Sequence, residues 1–200
     1  MLIETFSVGM LSTNCYLVSC SNTKEAVIID PGLDSFFEAK LITDYIAEAG
    51  LKPKYILNTH GHFDHIRGDG ILQKKYVIPI CIHPQDVCFL ADLETSNLPA
   101  HILLEEGSLV KFGCETLKVL HTPGHTHGSI CFISEQVVFT GDTLFAGSIG
   151  RTDFPEGSHN DMLCSLRRVE ALPDSLLVYP GHGETSRIGD EKRTNPFLNS

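Results

Sequence analysis

Over the first thirty residues, apolar and polar positions alternate in short bursts separated by clusters of Gly, Ser and Asn. A period of two marks a half-buried strand, and the intervening clusters are turn residues. The pattern predicts a β-meander with strands at Leu2–Val8, Asn14–Ser19 and Glu25–Asp30. Between Asp34 and Ala49 the spacing changes. Phe36/Phe37, Ala39, Leu41/Ile42, Tyr45/Ile46 and Ala49 recur as on one face of a helix, with Asp34 or Ser35 as N-cap and Gly50 as the stop. A short strand at Lys54–Asn58 then runs straight into a histidine-rich stretch.

The alternation of strand and helix continues more loosely. A helix is expected over Ile66–Lys75, a strand over Val77–Ile82 and a helix over Pro84–Leu93, followed by a loop over Leu93–Leu104, where no period is visible. Strands are expected at Leu109–Phe112, Glu115–His121, Ser129–Ser134 and Gln136–Thr140. A helix over Asn160–Ala171 and a strand over Leu176–Tyr179 complete the set. Runs of adjacent strands flank helices in both halves, which points to sheet packed on sheet with helices outside.

Composition narrows the chemistry. Two hundred residues with 42% apolar content suffice for one ordinary domain with a sizeable core. The formal charge of -10 gives no basis for gripping nucleic acid, which needs clustered Lys and Arg. No stretch approaches the roughly 20 apolar residues of a membrane span, and no basic segment followed by a long apolar run opens the chain, so the cytoplasm is the default address. Seven cysteines without a paired spacing argue against a disulfide framework. They read as small core hydrophobes in a reducing compartment.

The histidines change the picture most. His60-Gly-His62-Phe-Asp64-His65 follows the strand Lys54–Asn58 directly, and His125, Asp142 and His182 each follow the end of a later expected strand. All can therefore meet on one rim, and loops held by a rigid scaffold are where sites form. Imidazole and carboxylate are standard ligands of zinc and related divalent ions. Four such groups within six residues point to metal, whereas His83, His101 and His159 read as ordinary surface or core residues. His121 and His127 lie near enough in sequence to support the ligands.

Taken in order, Thr59-His-Gly-His-Phe-Asp-His65, Pro123-Gly-His125, Gly141-Asp142 and Pro180-Gly-His182-Gly183 resemble the successive motifs of the metallo-β-lactamase superfamily. The match extends from Asn14-Cys-Tyr-Leu17 and Ile29-Asp-Pro-Gly32 nearly to the end of the chain. The resemblance implies an α/β fold, a four-layer αβ/βα sandwich of two mixed sheets packed face to face with helices outside, with residues 1–200 as one domain and the site at one edge. It further implies that His60, His62 and His125 hold one metal, that Asp64, His65 and His182 hold a second, and that Asp142 bridges them. Lactamases of the superfamily often place cysteine at the position of Asp142, which argues against antibiotic hydrolysis.

The seven-ligand pattern resembles the glyoxalase II, or hydroxyacylglutathione hydrolase, branch in its short bacterial form. Its segments Gly141–Gly157 and Gly189–Leu198 support that likeness. The branch implies hydrolysis of a small glutathione-linked thioester, S-D-lactoylglutathione or a related acyl-glutathione. The nucleophile would be a hydroxide bridging two divalent ions, zinc first, with iron and manganese also suited to such ligands. Asp64 and Asp142 would act in catalysis and Arg151 would bind the glutathione moiety; neither nucleic acid nor membrane is an expected partner. Eighteen residues follow His182, too few for the helical domain with which the longer form grips glutathione, and Glu184 replaces a tyrosine common in that form.

Two other readings share these residues. Gly150-Arg-Thr-Asp-Phe154 also resembles the persulfide dioxygenases of the superfamily, in which His60, His125 and Asp142 would hold a single iron. The glycine before His182 is the hydrolase-like feature, since those dioxygenases tend to have alanine there. A lactonase on the same dinuclear centre is the other alternative.

Overall fold

A computed structural model describes residues 1–92 and 101–198. Two six-stranded mixed sheets dominate it. The first is built in the order β1 (Leu2–Val8), β2 (Thr13–Ser19), β3 (Glu25–Ile29), β4 (Lys52–Leu57), β5 (Ile80–Ile82) and β6 (Ile102–Leu103). Its first three strands are antiparallel and its last four run parallel from β3 onward. In chain order the second half comprises β7 (Leu109–Phe112), β8 (Glu115–His121), β9 (Ile130–Ile133), β10 (Val137–Gly141), β11 (Leu144–Phe145), β12 (Ser148–Ile149), β13 (Leu177–Pro180) and β14 (Ser186–Arg187). The second large sheet runs β14-β13-β10-β9-β8-β7, while β11 and β12 form a small ribbon.

The layers follow from where alternate side chains go. On β2, Cys15 and Leu17 enter one apolar cluster, and Tyr16 and Val18 enter another. On β3, Ala26 and Ile28 join the first cluster and Val27 and Ile29 the second. The first cluster lies beneath helix α1 (Phe36–Glu48), which contributes Ala39, Ile42 and Ile46; the second also takes Leu117, Val119, Ile130, Phe132, Val137 and Phe139 from the opposite sheet. The other face of that sheet, with Cys131, Val138 and Val178, packs on Met162, Leu166 and Val169 of helix α4 (His159–Glu170). Three apolar interfaces thus separate four layers: helix, sheet, sheet, helix. Strands buried on both faces read as continuous apolar runs such as Ala-Val-Ile-Ile in β3.

The caps agree with the chemistry of the chain. Ser35 Oγ accepts from Glu38 N–H at 3.2 Å to start α1, and Ser158 Oγ accepts from Asp161 N–H at 3.3 Å to start α4. The expected helix Ile66–Lys75 is instead two short helices, α2 (Phe63–Ile66) and α3 (Asp69–Tyr76). They break at Gly68, whose N–H donates to Pro31 O at 2.8 Å and where a Cβ would come within 2.3 Å of that oxygen. The strand expected from Val77 starts only at Ile80, because Val77 ends α3 in the left-handed region at φ 54°. The helix expected over Pro84–Leu93 is a 3₁₀ segment, Pro84–Asp92. Part of the expected loop Leu93–Leu104 lies outside the described residues, while Ile102–Leu103 pairs with β5. The short β14 and helix α5 (Ile188–Thr194) carry too few residues to show a period. Cys15, Cys20, Cys81 and Cys131 are buried as expected of core thiols, but Cys88, Cys114 and Cys164 are exposed. Among the described residues, no helix is long and apolar enough to cross a membrane.

Val77 is 67% exposed, so its side chain contributes little packing while its β-branched carbon strains a left-handed backbone. Val77→Gly should therefore stabilise the protein by about 1 kcal/mol, read as a higher urea midpoint at unchanged slope. A lower midpoint would show that unfolded-state entropy outweighs the relieved strain.

Candidate metal centre

The C-terminal ends of the strands place seven side chains on one rim. Beyond β4, His60 and His62 lie in the extended stretch before α2, and Asp64 and His65 lie on α2 itself. His125 follows β8, Asp142 follows β10 and His182 follows β13. Three groups of potential ligand atoms result: His60, His62 and His125; His60, His65 and Asp142; Asp64, His65 and His182. Within each group the ligand atoms all lie within 4.8 Å of one another. All seven residues expected to bind metal come together.

Each loop is tied down by side chains that the sequence reading had not singled out. Asp30, left-handed at the end of β3, accepts from Thr59 N–H at 2.8 Å and from Thr59 Oγ at 2.7 Å. Asp86, 1% exposed, accepts from Gly61 N–H at 2.8 Å, Thr126 Oγ at 2.7 Å and Gly128 N–H at 2.8 Å, joining the His60–His62 stretch to the His125 loop through one carboxylate. The loop bearing His182 is held by β2: Asn14 Nδ2 donates to Pro180 O and Gly183 O, both at 3.0 Å, and Tyr16 Oη donates to Pro180 O at 2.6 Å. Gly181 must be small, since a Cβ there would meet Asp142 Oδ1 at 2.2 Å.

The five imidazoles share one arrangement. Each has one ring nitrogen facing an acceptor outside the cluster. His60 Nδ1 donates to Thr59 Oγ at 3.1 Å, His62 Nε2 to Glu156 Oε1 at 2.8 Å and His65 Nδ1 to Asp30 Oδ2 at 3.0 Å. His125 Nδ1 donates to Arg151 O at 2.8 Å and His182 Nδ1 to Leu11 O at 3.1 Å. The outer nitrogens thus carry the protons and the inner ones present lone pairs to the centre. Those inner atoms crowd together: His62 Nδ1 and His125 Nε2 are 2.8 Å apart, and His65 Nε2 and His182 Nε2 are 3.3 Å apart. Carboxylate oxygens join them, with Asp142 Oδ2 3.4 Å from His125 Nε2 and Asp64 Oδ2 3.2 Å from His182 Nε2.

Acceptors facing acceptors in a buried place repel unless a cation or protons lie between them. His60 Nε2 and Asp142 Oδ1 are buried with no hydrogen-bond partner, which would cost free energy in a finished structure. Divalent ions fit this donor set: neutral imidazole and carboxylate with outer nitrogens fixed by carboxylates and carbonyls is the usual support of a metal-binding histidine. Without them, protonation shifts. Burial pushes His60 well below the ordinary imidazole value, and it also lowers His125. Burial opposes charge on His65 too, but Asp142, Asp30 and Asp64 outweigh it and lift its pKa to about 9. Burial would raise Asp64, yet the hydrogen bond from His182 and the charges of His65 and His182 hold it well below the usual carboxylate range.

Above this floor opens a cavity of about 360 Å³ with apolar walls from Leu11, Phe63 and Phe154. Phe154 is 39% exposed and packs edge-on to His62 at 5.6 Å. Arg151 lines the same cavity, but its guanidinium makes a bidentate pair with Asp153 at 2.7 and 2.8 Å and lies 4.0 Å over the Phe154 ring. His121 stacks on His83 at 4.1 Å and bonds His127 O at 2.9 Å, away from the metal groups. Lys192 pairs with Asp174 and Arg193 with Asp190. Asp30, Asp86 and Glu156 carried a signal too weak to read, as each is a single acid, after a strand, in a 3₁₀ segment and in a loop respectively.

Comparison with known proteins gives a consistent result. The profile of the metallo-beta-lactamase superfamily matches residues 8–182. Hydroxyacylglutathione hydrolase GloC of Haemophilus influenzae is 37% identical over 100% of this chain and 99% of its own length. The mitochondrial persulfide dioxygenase ETHE1 of Mus musculus is 35% identical over 93% of this chain and 71% of its own. Among solved structures, TTHA1623 in a di-iron-bound form superposes with a TM-score of 0.84 at 37% identity, covering 98% of this chain and 100% of that one. A related chain that carries iron leaves the identity of the metal open here.

Two measurements follow from the geometry. Removing the acceptor of His62 Nε2 by Glu156→Ala should weaken metal binding about 10–100-fold in competition with a chromogenic chelator; unchanged affinity would assign Glu156 no part in holding that ring. In metal-free protein, His65 keeps its proton to about pH 9 when folded, against about 6.5 when unfolded. Its raised value stabilises the fold fully below about pH 6.5, and that contribution is lost as pH rises through 9. The melting temperature of chelator-treated protein should fall between those pH values and recover on adding metal. A flat profile would contradict the assignment.

Proposed function

We propose that this chain, which belongs to the metallo-β-lactamase superfamily, is a dinuclear metal-dependent thioester hydrolase of glyoxalase II type acting on S-D-lactoylglutathione or a related acyl-glutathione. The observation that carries this reading is the second cluster, Asp64, His65 and His182, beside the first, with Asp142 within reach of both. A single ion on His60, His125 and Asp142 would leave Asp64, His65 and His182 as a second set of two histidines and a carboxylate, suited to a further ion. His60, His62 and His125 would hold one ion, Asp64, His65 and His182 the other, and Asp142 would serve both. Bound there, divalent ions would supply a hydroxide at neutral pH and a Lewis acid for the carbonyl oxygen.

The chain's own groups then set orientation. Asp64 Oδ2 accepts from Thr13 Oγ at 3.2 Å, which orients a carboxylate that would help hold the second ion. Leu11, Phe63 and Phe154 would offer the acyl group an apolar wall. Arg151 can exchange Asp153 for a substrate carboxylate, because an exposed ion pair contributes little and the bidentate geometry is the same for either partner. The similarity to GloC over essentially the full length of both chains supports this substrate class.

The persulfide dioxygenase reading has in its favour the 35% identity to ETHE1 and the segment Gly150-Arg-Thr-Asp-Phe154. Loss of the thioester absorbance of S-D-lactoylglutathione, with protein reconstituted in zinc or in iron, separates the two. Metal-dependent turnover is expected, and Asp142→Ala should bring it to the uncatalysed rate. Folded, metal-loaded protein that leaves the thioester intact but consumes oxygen with glutathione persulfide would replace the hydrolase with the dioxygenase.

A further inference from the structure

The rim opposite the metal centre carries chemistry that hydrolysis does not use. Cys20 follows β2 and opens the turn into β3, while Gly113 and Cys114 form the two-residue hairpin between β7 and β8. The two turns touch. Gly113 N–H donates to Glu25 Oε2 at 2.7 Å, and Cys114 N–H donates to Cys20 Sγ at 3.4 Å. A Cβ on Gly113 would lie 2.7 Å from Cys20 Cβ and 2.8 Å from its sulfur, so the hairpin backbone rests directly on that side chain. The cysteines differ in access: Cys20 is 1% exposed, whereas Cys114 is exposed and forms part of the wall of a cavity of about 280 Å³ with Thr116 and Ser134. Around the Cys20 sulfur, the Cys114 amide, the Thr23 hydroxyl and amide and the Asn22 amide all favour the thiolate, lowering its pKa to about 6.

We propose that Cys20 and Cys114 form a dithiol that closes reversibly to a disulfide across the seam between the two sheets, with a low-molecular-weight disulfide as oxidant. Access fixes the order. The Cys114 thiolate attacks one sulfur of the small disulfide, forming a mixed disulfide and expelling one small thiolate. Cys20, as thiolate, then attacks the Cys114 sulfur and expels the second. Two protein thiols are oxidised, one small disulfide is reduced to two thiols, and the two protons leave on those thiols. A residue beside exposed thiol chemistry and a stabilised partner thiolate are what such a resolving pair requires. The bond would close a span of 94 residues, and cross-links over long spans restrict the unfolded chain most.

The test uses the full metal-loaded chain incubated with oxidised glutathione, quenched in acid, alkylated in denaturant and mapped as unreduced peptides. The expected product joins the Cys20 and Cys114 peptides with loss of two hydrogens, reverses with dithiothreitol and melts at a higher temperature than the reduced protein. Cys20→Ser should stop at a glutathione adduct on Cys114, and Cys114→Ser should leave Cys20 reduced. Adducts on the exposed Cys88 and Cys164 fall on separate peptides. Wild-type protein that keeps glutathione on Cys114 with Cys20 alkylatable, or that leaves both thiols free, would overturn the proposal. The peptide map depends on no catalysed reaction.

Discussion

The register of the inner strands is the constraint on which the rest depends. β2, β3, β4 and β5 send alternate side chains into two different cores, one under α1 and one between the sheets. A slip by one residue would exchange the two sets, placing Tyr16 under the helix and Leu17 against Phe139, so neither core could close. The strand ends are therefore fixed in space, and with them Asp30, Asn58 and the start of the histidine stretch. The opposite sheet is held the same way, with Phe132 and Phe139 facing inward and Cys131 and Val138 facing α4. Two rigid sheets meeting along one rim give a site whose ligands come from both.

What the cores do not fix, buried carboxylates do. Asp86 makes three hydrogen bonds to two ligand loops, and Asp30 makes two to Thr59 and one to His65. Each satisfies donors that the loops would otherwise bury unpaired, a cost of about 1–3 kcal/mol apiece. The same carboxylates shape the electrostatics. Asp30 raises the basicity of His65 and directs its proton away from the centre, so the inner nitrogen is free to face a cation. The metal-free fold pays for this with crowded lone pairs and an orphaned His60 nitrogen, and metal binding is thereby coupled to folding.

Much of this was legible in the sequence, for stateable reasons. β1, β7 and β8 fall where alternation placed them, because local pattern and tertiary burial agree there. The clustering of the candidate ligands was legible because four of them are adjacent and the rest each follow a strand and a glycine. The break at Gly68 was not, since it follows from a contact with Pro31 that no local pattern encodes, nor was the late start of β5 at Ile80, which follows the left-handed backbone of Val77. Asp30, Asp86 and Glu156 were missed for the same reason: the role of a single acid is recognisable only from the donors around it. The place of Phe154 at the cavity was not legible either, because its ring is held there by His62 and Arg151, which no local pattern encodes.

That small cluster links the floor of the cavity to its mouth. Glu156 fixes His62 from one side, Phe154 packs on the same ring, and Arg151 lies over Phe154 while its carbonyl fixes His125. One segment, Arg151–Glu156, thus touches two ligands of the first metal group and presents the cavity's guanidinium. A substrate carboxylate that drew Arg151 from Asp153 would pull on the backbone that orients His125. On the proposed function, substrate recognition and metal geometry would therefore be connected through six consecutive residues.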